Sequence, residues 1–311
     1  MQRVELADVR VLVTGGRGFL GRHVARLAAL RGADVVAVGR DAGDLRDPAQ
    51  ADRLLADVRP RYVLHCAVDG GGIGWMRAHP VESGRDNALI NIHALEASHR
   101  HGVEVFVGAG SACAYPRICP VPFREEMLWE GRPEPTNAAY ASSKRLLMEL
   151  GRAYFDQHGF RAVFPMLANL YGPEDHLEPE RAHVVAALIQ RCLANPAELV
   201  VWGTGRATRE HLYVADAADG LLAMLSWPSP DPVNIGTGVE VSVAELATEI
   251  AAACGYAGPV RFDATQPDGQ PRKCLDVTRA RERLGWSAPT ALAEGLRDTV
   301  AWYREALCVA P

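Results

Sequence analysis

Short apolar runs alternate along this chain with longer stretches in which apolar residues recur every three or four positions. Residues 9–13 read as a buried strand, and a helical run through Val24, Leu27 and Leu30 ends near Gly32 before a second strand at residues 34–39. Residues 61–67 form a further strand. A long helical pattern over about 80–101 leads into the strand at 103–108. Leu146, Leu147, Leu150 and Tyr154 mark another helix, closing at about His158 and Gly159, and residues 161–168 return as a strand. Strands alternating with helices in this way predict an α/β fold with a doubly wound parallel sheet.

Beyond Gly172 and Pro173 the chain becomes loop-like and polar over 174–181. An apolar helix follows over 184–193, then a strand and turn over 198–205. A segment starting at Thr208 re-enters the sheet and is followed by a helix over 215–225. An amphipathic helix over 243–253, a short strand over 260–263 and two more helical runs complete the chain. The expected organisation is a Rossmann domain of residues 1–171 with about 208–232. Residues 172–207 and 233–311 form a smaller, interleaved C-terminal α/β domain that walls the far side of a cleft.

At 311 residues the chain is long enough for such a pair of domains. Its composition, 48% hydrophobic and 23% charged, is that of a globular protein, and the net charge of -5 gives no footprint for nucleic acid. No apolar run is long enough to span a bilayer, and the first eight residues are too polar for a signal peptide. The seven cysteines lack a C-x-x-C pair, which predicts free thiols in a reducing cytoplasm and no structural metal site.

Chemistry enters with the glycines between the first strand and helix. Gly15, Gly18 and Gly21 are spaced G-x-x-G-x-x-G, with Gly16 beside the first. Between a strand and a helix, such glycines let the backbone turn tightly and approach a pyrophosphate held at the helix N-terminus. The second strand ends at Arg40, and Arg17 lies in the loop; two guanidiniums suit the 2′-phosphate of NADPH, while Asp41 and Asp44 leave NAD open. Gly70, Gly71, Gly72 and Gly74 form a second glycine loop, expected to lie over the nicotinamide half of a cofactor. Tyr140 and Lys144 are four residues apart at a helix start, so both point into one pocket, where the ammonium is expected to favour the phenolate. Ser111, at the end of a strand, adds a third hydrogen-bonding group on the same substrate oxygen. This is oxidation or reduction at carbon, with a hydride carrier.

Several motifs in order resemble the GDP-L-fucose synthase family of extended short-chain dehydrogenases. They are the glycine loop, Gly110-Ser-Ala-Cys-Ala-Tyr-Pro116, Glu134-Pro-Thr-Asn-x-x-Tyr140-x-x-x-Lys144, Asn169-Leu-Tyr-Gly-Pro173 and His183-Val-Val-x-Ala-Leu-Ile. Val201-Trp-Gly-Thr-Gly205, Arg209-Glu, Asn234-Ile-Gly-Thr-Gly238 and Pro267-Asp-Gly-Gln-Pro-Arg-Lys273 continue the likeness almost to the end. The resemblance implies an NADPH-dependent homodimer that inverts C3 and C5 of GDP-4-keto-6-deoxy-D-mannose and reduces C4. It implies Cys113 and His183 as the base and acid of the inversions, with Ser111, Tyr140 and Lys144 handling the C4 oxygen. It extends the cofactor contacts to Phe19, Leu20, Ala67, Ala109, Gly110, Leu167, Asn169, Leu170 and His183, beside Lys144. It assigns Arg191, Trp202, Arg209 and Asp268 to the nucleotide sugar.

The chain departs from that pattern at Ala112, in the Met166-Leu-Ala stretch before Asn169, and in the glycine loop after Asp69. These changes surround the expected sugar ring, so a plain 4-ketoreductase and a C5-only epimerase–reductase remain as alternatives. A dehydratase is opposed by Ala112 and Cys113, which stand where an Asp-Glu pair is needed. A non-catalytic Rossmann sensor is opposed by the presence of both Tyr140 and Lys144.

Overall fold

Five consecutive residues with four fully buried side chains make β1 (Arg10–Thr14), and its apolar sequence is that of a strand covered on both faces. The computed structural model describes residues 3–178, 182–266 and 268–309. Pro267 and the end of the expected 174–181 loop lie outside them. The chain continues through α1 (Phe19–Leu30), β2 (Asp34–Val38), α2 (Pro48–Val58) and β3 (Tyr62–His65). A short α3 (Ile73–Ala78) and the long α4 (Pro80–Arg100) lead to β4 (Val105–Gly108) and β5 (Gly110–Ser111). Next come α5 (Ala138–His158), β6 (Arg161–Val163), β7 (Pro165–Leu167) and β8 (Asn169–Tyr171).

These strands form a parallel sheet in the order β2-β1-β3-β4-β6, so the order reverses between β1 and β3. A crevice at that switch point, outside the strands' C-terminal ends, is where such sheets take ligands. The sheet is prolonged by β5 pairing with β7. Helices α4 and α5, each of 21 residues, pack side by side over one face of the sheet.

The remaining elements are α6 (Val184–Leu193), β9 (Leu199–Trp202), β10 (Thr208–Arg209), β11 (His211–Tyr213) and α7 (Val214–Ala223). They are followed by β12 (Val233–Ile235), β13 (Val241–Ser242), α8 (Val243–Ala253), β14 (Val260–Asp263), β15 (Arg272–Lys273) and α9 (Leu292–Val309). The segment expected to re-enter the sheet does not pair with the five-stranded one: β11 pairs in parallel with β8 as a two-stranded sheet, while β10 joins a small sheet with β13 and β15. Helix α8 begins with a capping box, in which Ser242 and Glu245 satisfy each other's backbone N–H.

The apolar core falls into two clusters, one around β1, β3, β4 and their helices, the other around α6, α8, α9 and β9. Residues 233–311, expected wholly in the smaller unit, are shared between them. Val233 and Ile235 of β12 pair with β7 and, with Leu275, Leu284 and Trp286, pack in the first cluster. Leu246, Ile250, Leu296, Val300 and Tyr303 pack in the second. The reason is that β12 has a parallel partner waiting in β7, at the edge of the short β5–β7 sheet, which backbone pairing fills.

Candidate active site

A cavity of about 1300 Å³ opens at the C-terminal ends of β1, β3 and β5 and extends to α6, β9 and the 268–273 segment. Gly15 has φ +66°, and a Cβ there would stand 2.7 Å from the Ala67 backbone; a Cβ on Gly21 would overlap the Gly15 carbonyl. Gly18 caps α1 with no side-chain hydrogen bond, leaving first-turn N–H groups for an anion. This cradle fits a dinucleotide. Gly15, Arg17, Gly18, Phe19, Leu20 and Gly21 all line the cavity, but Gly16 does not. Its N–H donates to Val38 O at 2.9 Å, and a Cβ would stand 2.8 Å from that of Ala37, so Gly16 serves the packing of β1 on β2.

Arg17 pairs with Asp41 at 2.8 Å and Arg40 with Asp69 at 3.4 Å, and both guanidiniums are mostly exposed at the cavity rim. The Arg17 stem lies where a Cβ on Gly39 would be, which brings the two arginines to the same end of β2. Ala67, Ala109, Gly110, Leu167, Asn169 and Leu170 line the cavity as expected. Asn169 has a structural task as well, its amide donating to Glu210 O at 3.0 Å. The second glycine loop also lines the cavity through Gly70, Gly71, Gly72 and Gly74, although from Ile73 the chain turns helical as α3. Its base is pinned by Asn87, which accepts from Asp69 N at 2.9 Å and donates to Asp69 O at 2.7 Å.

Ser111, Tyr140 and Lys144 meet in this cavity. Ser111 ends β5, and Tyr140 and Lys144 are one turn apart at the start of α5. Lys144 is buried, donates to Ala109 O at 2.8 Å and stands 5.8 Å from the Tyr140 ring centroid. Burial pulls its ammonium down to about 8. The expected phenolate is not found: burial, reinforced by Cys113, pushes the Tyr140 hydroxyl up, against a hydrogen bond with Ser111. Lys144 reaches a carbonyl and lies over the ring, so its charge does not offset the desolvation of the phenol.

Cys113 follows Ser111 on a short helical turn, its N–H donating to Ser111 Oγ at 3.2 Å. Lys273 donates to Cys113 Sγ at 3.2 Å. Burial alone would raise the thiol, but Lys273, Ser111 and His183 together hold it below the ordinary thiol value. His183 is the N-cap of α6, and its Nδ1 lies 3.4 Å from the buried carboxylate of Asp175. Burial lowers its pKa, but the hydrogen bond and charge of Asp175 together with the Cys113 sulfur outweigh it, and the net shift is upward. A thiol biased toward thiolate and an imidazole biased toward imidazolium thus line one cavity.

Arg191, Trp202, Arg209 and Asp268 line the same cavity on the α6 and β9 side. Arg191 is braced by Val200 O at 2.8 Å, Arg209 by Thr208 O at 2.7 Å and Asp268 O at 3.1 Å, and Trp202 is exposed. Asp268 spends its carboxylate on Thr204, accepting from its N–H at 2.7 Å and its hydroxyl at 2.9 Å. It therefore fixes the turn after β9.

The model of the NAD dependent epimerase/dehydratase family matches residues 11–236, the whole span from β1 to β12. This chain belongs to that family. Among curated members, it is 37% identical to "Probable GDP-L-fucose synthase 1" of Oryza sativa, over 95% of this chain and 92% of that one. It is 36% identical to the GDP-L-fucose synthase of Escherichia coli strain K12, over 96% and 98%. A GDP-L-fucose synthetase from Naegleria fowleri, solved with NADP bound, superposes with a TM-score of 0.89 at 30% identity, covering 99% and 98%. A GDP-6-OMe-4-keto-L-xylo-heptose reductase from C. jejuni gives 0.91 at 22% identity, covering 96% and 98%, and shares the fold.

Three residues of this epimerase/dehydratase site were not singled out in the sequence. Asp175 sits in what reads as a polar loop and carries no signal. Lys273 does carry one: the chain has two lysines against thirty-one arginines, and both lysines, Lys144 and Lys273, line the cavity. His211, on β11, is the third; it borders the cavity, is 6% exposed, and neither ring nitrogen has a partner among the described residues. Burial, with Arg209 nearby, drives it down to about 4; burial and Lys144 drive His65 to about 3. Both are neutral when folded, whereas an unfolded histidine takes a proton near pH 6.5, so stability falls as pH drops from about 6.5 toward 4. His211→Phe should raise stability by about 1–3 kcal/mol at pH 7, because it removes an orphaned polar ring. The gain should grow by up to about 2 kcal/mol at pH 5, read from urea unfolding at the two pH values.

Proposed function

We propose that this chain is an NADPH-dependent epimerase–reductase that converts GDP-4-keto-6-deoxy-D-mannose to GDP-L-fucose. The observation that carries the reading is the pairing of Cys113 with Lys273 and of His183 with Asp175, in one cavity with Tyr140. A plain reductase has no use for two oppositely tuned proton carriers. NADPH would be held by Gly15, Gly18 and Gly21, with Arg17 and Arg40 at its 2′-phosphate, and supplies the hydride that reduces C4.

The ketone at C4 acidifies the hydrogens on C3 and C5. Cys113, as thiolate, takes one of these protons onto sulfur, and the C–H electron pair flows to the ketone oxygen as an enolate. Tyr140 keeps its proton at neutral pH, so the phenol donates a hydrogen bond to that oxygen, and Ser111 adds a second donor. His183, held as imidazolium by Asp175, returns a proton to carbon on the other face, which inverts the centre. At the reduction step the Tyr140 proton passes to the C4 oxygen. Arg191 and Arg209 offer guanidiniums to the diphosphate, and Trp202 offers a flat face to the nucleotide or sugar.

Incubation with NADPH and GDP-4-keto-6-deoxy-D-mannose in D2O tests the reading. The expected product carries deuterium at both C3 and C5, with NADPH consumed. Deuterium at one carbon reduces the activity to a single epimerisation, and none leaves a ketoreductase. A cytoplasmic homodimer is supported by all seven cysteines being free, by the absence, among the described residues, of any helix long and apolar enough to cross a membrane, and by exposed Val81 on α4 and Leu146 on α5.

A further inference from the structure

Lys273 occupies β15, beside Arg209 of β10 in register. Its strand is fixed from behind by Glu210, whose N–H donates to Lys273 O at 3.1 Å and whose carboxylate accepts from Leu275 N at 2.7 Å. Among the described residues, Lys273 forms no ion pair with a carboxylate, and its hydrogen-bonding partner is the Cys113 sulfur at 3.2 Å. The other groups around that sulfur are the Ser111 hydroxyl, the Tyr140 phenol, the His183 imidazole and the Arg209 guanidinium. None of them is an anion. The carboxylates of the network lie one step further out, Asp175 paired with His183 and Asp268 and Glu134 acting on Arg209.

We propose that Lys273 is a positioning residue whose standing ion pair holds Cys113 as a thiolate, so that the sulfur is ready as a base before any substrate arrives. The use of that thiolate to take a proton beside a ketone rests on the function proposed above; the ion pair itself does not. Lysine is suited to the task because its ammonium is a compact point charge that seats against one sulfur atom, whereas a guanidinium is shaped for two oxygens. The composition points the same way. A chain that uses arginine for nearly every surface cation keeps lysine at two places, and both are in this cavity. The pair also accounts for Cys113 being held below the ordinary thiol value where burial alone would raise it, as burial does for Cys66, pushed up to about 12.

The test is the pH profile of Cys113 alkylation by iodoacetamide on the full chain, read peptide by peptide by mass spectrometry, which separates Cys113 from the other six cysteines. The expected wild-type midpoint lies below the ordinary thiol value of about 8.5. Lys273→Met should raise the midpoint by about one unit or more, which lowers the alkylation rate at pH 7 about tenfold, and Lys273→Arg should restore most of the shift by returning the charge. NADPH binding, followed by fluorescence, reports that each variant is folded. A Lys273→Met midpoint equal to wild type overturns the proposal, as does a wild-type midpoint at or above about 8.5 if that variant does not fold. No substrate is involved, so failure of the ion pair and failure of the proposed reaction are read separately. A shifted midpoint in a protein that never turns over the GDP-sugar keeps the first and rejects the second.

Discussion

Tyr140→Phe should lower kcat for NADPH consumption by about 100- to 10,000-fold, the range for losing a positioned general acid, while NADPH affinity changes less than about twofold. The asymmetry follows from where the hydroxyl sits. In the proposed reaction it meets the reacting oxygen, whereas the cradle for the dinucleotide is made by backbone at Gly15, Gly18 and Gly21, away from Tyr140. Because burial keeps the phenol protonated, the variant loses a donor that is present at all working pH values. The loss should therefore be the same at pH 6 and pH 8, whereas loss of a group that titrates in that window would change with pH. Stopped-flow absorbance for turnover and fluorescence titration for binding settle both halves.

Cys113→Ala should abolish incorporation of solvent deuterium, a drop of at least about 100-fold for loss of a general base, with cofactor binding intact. His183→Asn should do the same from the other side of the ring. What distinguishes the pair is the product that remains. Without an epimerisation step, any slow NADPH consumption must come from direct reduction of the uninverted ketone, and that product is separable by NMR. A Cys113→Ala enzyme that still makes product deuterated at both carbons would remove Cys113 from the mechanism.

Much of the frame could be read from the chain because it is written in local patterns. Helices α6 and α8 and strand β14 begin and end where the apolar pattern places them. The cofactor cradle was legible because a G-x-x-G-x-x-G run between a strand and a helix has few other uses. What the sequence did not give depends on which surfaces meet. Gly16 looks like its neighbours in the motif, but its back is against Ala37 rather than the cavity. Asp268 reads as a free carboxylate until Thr204 is seen beneath it. The Tyr140 phenol was expected to be acidic from the Lys144 spacing alone, yet spacing carries no information about desolvation, which here has the larger effect. Asp175 and Lys273 reach the site from segments 62 and 160 residues away from Cys113, a closeness that only the folded sheet creates.

The scarcity of lysine has a practical side. With the only two side-chain amines of the protein lining its cavity, reagents that seek amines find there their targets other than the chain's α-amino group. A small amine-directed dye that labels a side chain will report on this cavity, where in most proteins such dyes decorate the outer surface. Protection of those amines by a nucleotide sugar becomes a direct footprint of ligand occupancy.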